Sequence, residues 1–184
     1  MKILLAITGA SGVTYGIRLL EELSIKDDIT VDIIISNSGK KIIDIELEKD
    51  IKEITNLADN TYEQDDLCAP PSSGSSLYDF MLVVPCSMST LSKISSGMAD
   101  NLITRAAGVM LKERRGLLIV PRETPLSTIH IENMAVLSRE GCIVLPASPG
   151  FYSAPKTVVD LVDFIVGKIL DTLEINNDLF DRWN

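Results

Sequence analysis

The stretch Thr8-Gly9-Ala10-Ser11-Gly12-Val13-Thr14-Tyr15-Gly16 follows the apolar run KILLAI (Lys2–Ile7) and precedes IRLLEEL (Ile17–Leu23). A glycine-rich turn between a strand and a helix is a common seat for phosphate, because the first amides of the helix point at the ligand. The dinucleotide fingerprint needs G-x-G-x-x-G and an acid at the end of the second strand. Here Ser11 stands where the second glycine belongs, and the second apolar run ends Ile35-Ser36-Asn37 without an acid. A P-loop would need Gly-Lys-Ser/Thr after four intervening residues, which is also absent. The turn, with its Ser11 hydroxyl, suits a phosphate monoester or a similar anion.

The same alternation continues along the chain. Short runs rich in Ile, Leu and Val predict strands at Lys2–Ile7, Val31–Ile35, Phe80–Val84, Leu117–Val120 and Cys142–Leu145. Amphipathic stretches predict helices at Val13–Leu23, Gly39–Glu48, Met88–Gly97, Leu102–Arg114, Thr128–Arg139 and Thr157–Leu173. Nearly continuous apolar strands separated by helices indicate a parallel sheet covered on both faces. The expected fold is a Rossmann-like three-layer α/β/α sandwich with a mostly parallel sheet. The chain of 184 residues suits one domain over 1–184. Ala69-Pro70-Pro71-Ser72-Ser73-Gly74-Ser75-Ser76 reads as a loop, either mobile or a plain connector. The tail Leu179-Phe180-Asp181-Arg182-Trp183 carries the only Trp, and so apolar an end reads as docking on its own domain or on a neighbouring subunit.

Composition narrows the function. A net charge of −9 and a pI of about 4.6 argue against nucleic acid, where affinity comes largely from Lys and Arg on phosphates. Three scattered cysteines without a C-x-x-C pair give no zinc site and fit a reducing, cytoplasmic location. The first residues are too glycine-broken for a signal peptide or membrane span.

Ligands of open parallel sheets sit outside the carboxyl ends of the strands. The third run ends Cys86-Ser87-Met88-Ser89-Thr90, three hydroxyls that can donate to a phosphate or to a flavin, one of them being a simple helix cap. Cys86 reads as a small buried residue. The fourth run ends Pro121-Arg122-Glu123-Thr124-Pro125. Arg suits bidentate phosphate contact, and a Glu held near an anion gains proton affinity useful for acid–base work. The fifth ends in the rigid aromatic turn Pro146-Ala147-Ser148-Pro149-Gly150-Phe151-Tyr152-Ser153-Ala154-Pro155.

These motifs together resemble the flavin prenyltransferases, the UbiX/Pad family. The matching segments are TGASG, Ser36, PCSMSTLSKISSGMADNLITRAA, LKERR, PRETPLSTIHIENM, LPASPGFYSAP and LFDRW, which span the chain nearly end to end. Gly116 stands where family members often have Pro, and the SMST residues vary. The resemblance implies alkylation of reduced FMN at N5 and C6 by dimethylallyl monophosphate, without metal. The product, prenylated FMN, would pass to a UbiD-type decarboxylase. FMN would contact Gly9, Ala10, Ser11, Ser36, Ser87, Met88, Ser89, Thr90 and Arg122. Tyr152 and Lys168 would meet the prenyl phosphate, supported by Lys112 and Arg122, with Trp183 closing the site. Glu46 and Glu123 would be the functional carboxylates, Glu123 moving the proton between flavin and departing phosphate, with Ser11 and Lys112 completing the catalytic set. The family's site lies between subunits of a large homo-oligomer, a dodecamer.

Diphosphate prenyltransferases use Asp-Asp-x-x-Asp with magnesium, and neither Asp65-Asp66 nor Asp27-Asp28 completes that motif. The nearest rival is the flavin-containing cysteine decarboxylases, which share the pattern from Pro85 to Leu102. They use a catalytic His after an early helix, whereas this chain has only His130. A non-catalytic flavin carrier and an NAD-dependent reductase are the other readings.

Overall fold

The computed structural model describes residues 1–183. Six strands, β1 (Lys2–Ile7), β2 (Thr30–Ile35), β3 (Asn60–Glu63), β4 (Phe80–Cys86), β5 (Gly116–Pro121) and β6 (Ile143–Val144), form one sheet in the order β3-β2-β1-β4-β5-β6. Every pairing is parallel. The chain moves outward from β1 to β3, then returns to the other side of β1 as β4. A crevice opens at that reversal, outside the carboxyl ends of β1 and β4.

The strand sequences are apolar because both faces are covered. Ile3, Leu5 and Ile7 point to the layer that holds α1 (Val13–Ser24) and α7 (Val158–Thr172). Leu4 and Ala6 point the other way, toward α4 (Met88–Ser95), α5 (Leu102–Lys112) and α6 (Thr128–Arg139). The period of two along β1 therefore feeds two separate cores. Two further helices, α2 (Asn37–Leu47) and α3 (Ile51–Thr55), follow β2.

Two elements depart from the sequence reading. Strand β3, Asn-Thr-Tyr-Glu, is an edge strand exposed along most of its length, so it lacks the apolar run that marked the others. Helix α3 has five residues, too few for a periodic pattern, and starts where Asp50 accepts from the Lys52 N–H at 2.9 Å. The Ala69–Ser76 segment is a connector of two 3-10 turns with Ala69 and Pro71 buried. Arg105 and Arg115 donate to its Ser72 and Gly74 carbonyls, which ties it to the body of the domain. Among the described residues no helix is long and apolar enough to cross a membrane.

Candidate active site

The loop between β1 and α1 is built for close approach. Gly12 adopts φ 95°, a left-handed conformation that favours glycine, and α1 begins without a side-chain cap of its own. A Cβ on Gly9 would stand 2.4 Å from Cβ of Ser38, so only glycine lets α2 start this near the loop. From the far end of α2, Glu46 returns to the loop and accepts from the Gly12 N–H at 2.9 Å and the Val13 N–H at 3.2 Å. The α1 N-terminus, read in the sequence as an open anion cradle, thus already holds a carboxylate of the same chain.

Arg122, just beyond β5, donates from Nε to the Ser11 carbonyl at 2.9 Å. It makes no ion pair with Glu123 among the described residues. Glu123 is exposed and accepts only from the adjacent Thr124 N–H, at 3.0 Å. Arg122 and Glu46 thus both anchor on the β1–α1 loop, while Glu123, next to Arg122, forms no ion pair among the described residues.

Two serines cap the helices that start at this edge. Ser36 accepts from the Gly39 N–H at 2.9 Å and caps α2. Ser87 accepts from the Thr90 N–H at 3.3 Å and caps α4, its hydroxyl also 3.0 Å from that of Thr90. A capping hydroxyl accepts from the helix and keeps its own proton for another partner. Ser89 is exposed beside them, while Met88 is buried and Ala10 packs inward. Thr8, which the sequence reading passed over, joins the two halves of the crevice. Its buried hydroxyl donates to the Pro85 carbonyl at 2.7 Å and accepts from the Ser87 N–H at 2.8 Å. Its signal was only a Thr at the end of an apolar strand.

A second cluster lies on the flank of α7. The Tyr152 ring meets Phe164 and Trp183 edge-on, each at 5.5 Å between centroids. Gly150 keeps this packing possible, since a Cβ there would sit 2.9 Å from the Phe164 ring. Lys168 stands one turn beyond Phe164, 3.7 Å from Asp171. The tail docks through Phe180, whose ring is 5.0 Å from that of Phe164, and Trp183 itself stays 80% exposed.

Lys112 is not part of either cluster in one chain. It ends α5, four residues before Gly116, which pairs with Phe80 at the amino edge of the sheet. Glu123 lies beyond the opposite edge, so the six residues of β5, at about 3.3 Å each, put roughly 20 Å between the two positions. In this chain Lys112 pairs with Glu113 instead.

The remaining reactive groups are accounted for. His130 accepts through Nδ1 from the Ser127 N–H at 3.3 Å and completes the cap of α6. Cys86 is fully buried and burial pushes its thiol well above the ordinary range; Cys142 is buried too, its thiol pushed up to about 12. Among the described residues no three His, Cys, Asp or Glu side chains stand together to hold a metal. The cleft between Arg122, Glu123, Met134, Pro146 and Ser148 measures about 110 Å³. It is a side cleft beyond β5, and neither the β1–α1 loop nor the Ser87 turn lines it.

The Flavoprotein family profile matches residues 1–170. The flavin prenyltransferase UbiX of Thermoplasma acidophilum is 54% identical over 183 residues, covering 100% of both chains. A dodecameric FMN-dependent UbiX-like decarboxylase from Escherichia coli superimposes with a TM-score of 0.98 at 42% identity, again over 100% of both chains. The structure of AnUbiX in complex with FMN and dimethylallyl pyrophosphate matches at TM-score 0.95 and 41% identity, covering 100% of this chain and 97% of that one.

Proposed function

The chain belongs to the flavoprotein family and, within it, to the flavin prenyltransferases, and on that premise we propose that it moves a dimethylallyl group from dimethylallyl monophosphate onto N5 and C6 of reduced FMN. The observation that carries the reading is the meeting of Ser11, Glu46 and Arg122 at the β1/β4 reversal, in a chain that aligns end to end with such enzymes. We take residues 1–184 as one flavoprotein domain in the cytoplasm, acting without metal.

FMN supplies the electron-rich ring that is alkylated. The residues hold it and manage charge. Gly9, Ala10 and Ser11 line one wall. The hydroxyl protons of Ser36 and Ser89, and the one that the Ser87–Thr90 pair does not share, suit its phosphate and ribityl oxygens, with the first amides of α4 at Met88. Arg122, already fixed to the Ser11 carbonyl, presents its remaining N–H groups to the same anion.

The allylic C–O bond breaks only if the departing phosphate is stabilised. Tyr152 and Lys168 meet that phosphate, with Arg122 and Lys112 adding positive charge and Trp183 covering it. Glu123, with no partner beyond its neighbour's amide, takes the proton displaced from the flavin and passes it to the phosphate. Glu46 holds the Gly12 and Val13 amides of the loop and serves as the second carboxylate.

Because Lys112 stands at the far edge of the sheet, the complete site calls for a second copy of the chain, in keeping with a dodecamer. The exposed Ile129 and Ile131 on α6 give such an assembly apolar surface to bury. The product would be delivered to a UbiD-type decarboxylase. Inorganic phosphate released from dimethylallyl phosphate, only when reduced FMN is present, tests the transfer. Release that does not depend on the flavin would reduce the protein to a phosphatase.

A further inference from the structure

We propose that Asp171 is a positioning residue for the prenyl-phosphate end of the site, clamping the C-terminal tail onto α7 while it orients Lys168. The inference rests on the function proposed above and names a residue with no role in it so far.

Asp171 sits in the last turn of α7 and binds two cations. Arg182 of the tail meets it with both arms, Nη1 to Oδ2 at 3.0 Å and Nη2 to Oδ1 at 2.8 Å. This fork-to-fork geometry is the strongest form of such a pair. Lys168 approaches the same Oδ2 at 3.7 Å. Asn177 stitches the turn between them, donating to Asp171 Oδ1 at 3.0 Å. Arg182 in turn donates to the Asn177 carbonyl at 3.2 Å.

The clamp sets what lies beside it. Arg182 is flanked by Phe180 and Trp183. Phe180 packs against Phe164 and over Gly167, where a Cβ would come within 2.6 Å of its ring. Trp183 reaches Tyr152. Releasing Arg182 would therefore loosen the residue that covers Tyr152.

Distance gives the second half of the argument. Arg182 occupies both Asp171 oxygens at 2.8 and 3.0 Å, whereas Lys168 stands 3.7 Å away and exposed. The carboxylate therefore steers the Lys168 ammonium without taking up its donors, which stay available to an anion.

The test uses the flavin-free full-length chain and its single tryptophan, Trp183. In Asp171→Asn, the fluorescence anisotropy of Trp183 should fall, because the tail is no longer held. The KM for dimethylallyl phosphate should rise about five- to tenfold, the scale of a lost partly exposed ion pair, with FMN affinity unchanged. Asp171→Glu, which keeps the charge, should recover most of both effects. Unchanged anisotropy in Asp171→Asn would overturn the clamp. Lower anisotropy with an unchanged KM would leave Asp171 as a tail anchor only and overturn its positioning role. If the unsubstituted chain makes no prenylated flavin, the positioning role falls with the reaction, while the anisotropy still decides the clamp.

Discussion

The Glu46 carboxylate sits on the Gly12 N–H at 2.9 Å, joining the end of α2 to the start of α1 across the crevice. A negative side chain at a helix N-terminus satisfies amides that would otherwise lack partners and complements the helix dipole. Glu46→Ala should lower stability by about 1 kcal/mol, the usual value of a cap, seen as a lower urea midpoint. Glu46→Gln keeps an acceptor oxygen and should hold most of that stability, yet slow prenylation by about a hundredfold if the charge takes part in proton handling. A Gln variant with unsubstituted turnover would make Glu46 a cap and nothing more.

Lys112 and Glu123 lie at opposite edges of the sheet, so the account needs them to come from different copies. Lys112→Ala and Glu123→Gln should each be nearly inactive alone. Mixed at equal amounts by unfolding and refolding together, they should regain about a quarter of full activity, because random assembly pairs two intact contributions at that frequency. Mixtures as inactive as the parents would mean that one chain supplies both groups.

The two buried thiols make a pH statement. Their folded pKa values are raised, whereas an unfolded Cys ionises near about 8.5. Below that pH both states hold the proton and the thiols do not alter stability. Above it the unfolded state sheds protons first, so stability falls as pH rises, by about 1.4 kcal/mol per thiol at roughly pH 9.5. Cys142→Ala should make the fall in melting temperature between pH 8 and pH 9.5 shallower. Ellman's reagent should titrate Cys68, the exposed thiol, quickly and the other two only on unfolding. Three fast thiols would contradict the burial.

The sheet was legible because its strands are buried on both faces and so read as unbroken Ile, Leu and Val. Strand β3 was not, because an edge strand spelled Asn-Thr-Tyr-Glu carries no such run. The strand ends announced their chemistry through residue type: PRETP placed an Arg and a Glu at the carboxyl edge, and they lie there. What residue type cannot convey is who partners whom. Arg122 spends Nε on the Ser11 carbonyl rather than on Glu123, and Glu46 crosses from the other helix to fill the cradle that the glycines suggested was open. Lys112 shows the same limit at longer range. Its motif matches the resemblance, but the direction in which α5 runs carries it away from the residues it is meant to help.

The most direct test of the central claim is mass spectrometry of the flavin extracted after anaerobic incubation of the protein with reduced FMN and dimethylallyl phosphate. The account requires a flavin heavier by one five-carbon prenyl unit, formed with the unsubstituted chain and lost in Glu123→Gln. FMN recovered bound but unchanged, with mono- and diphosphate donors alike, would contradict it and leave a flavin-binding protein without this transfer.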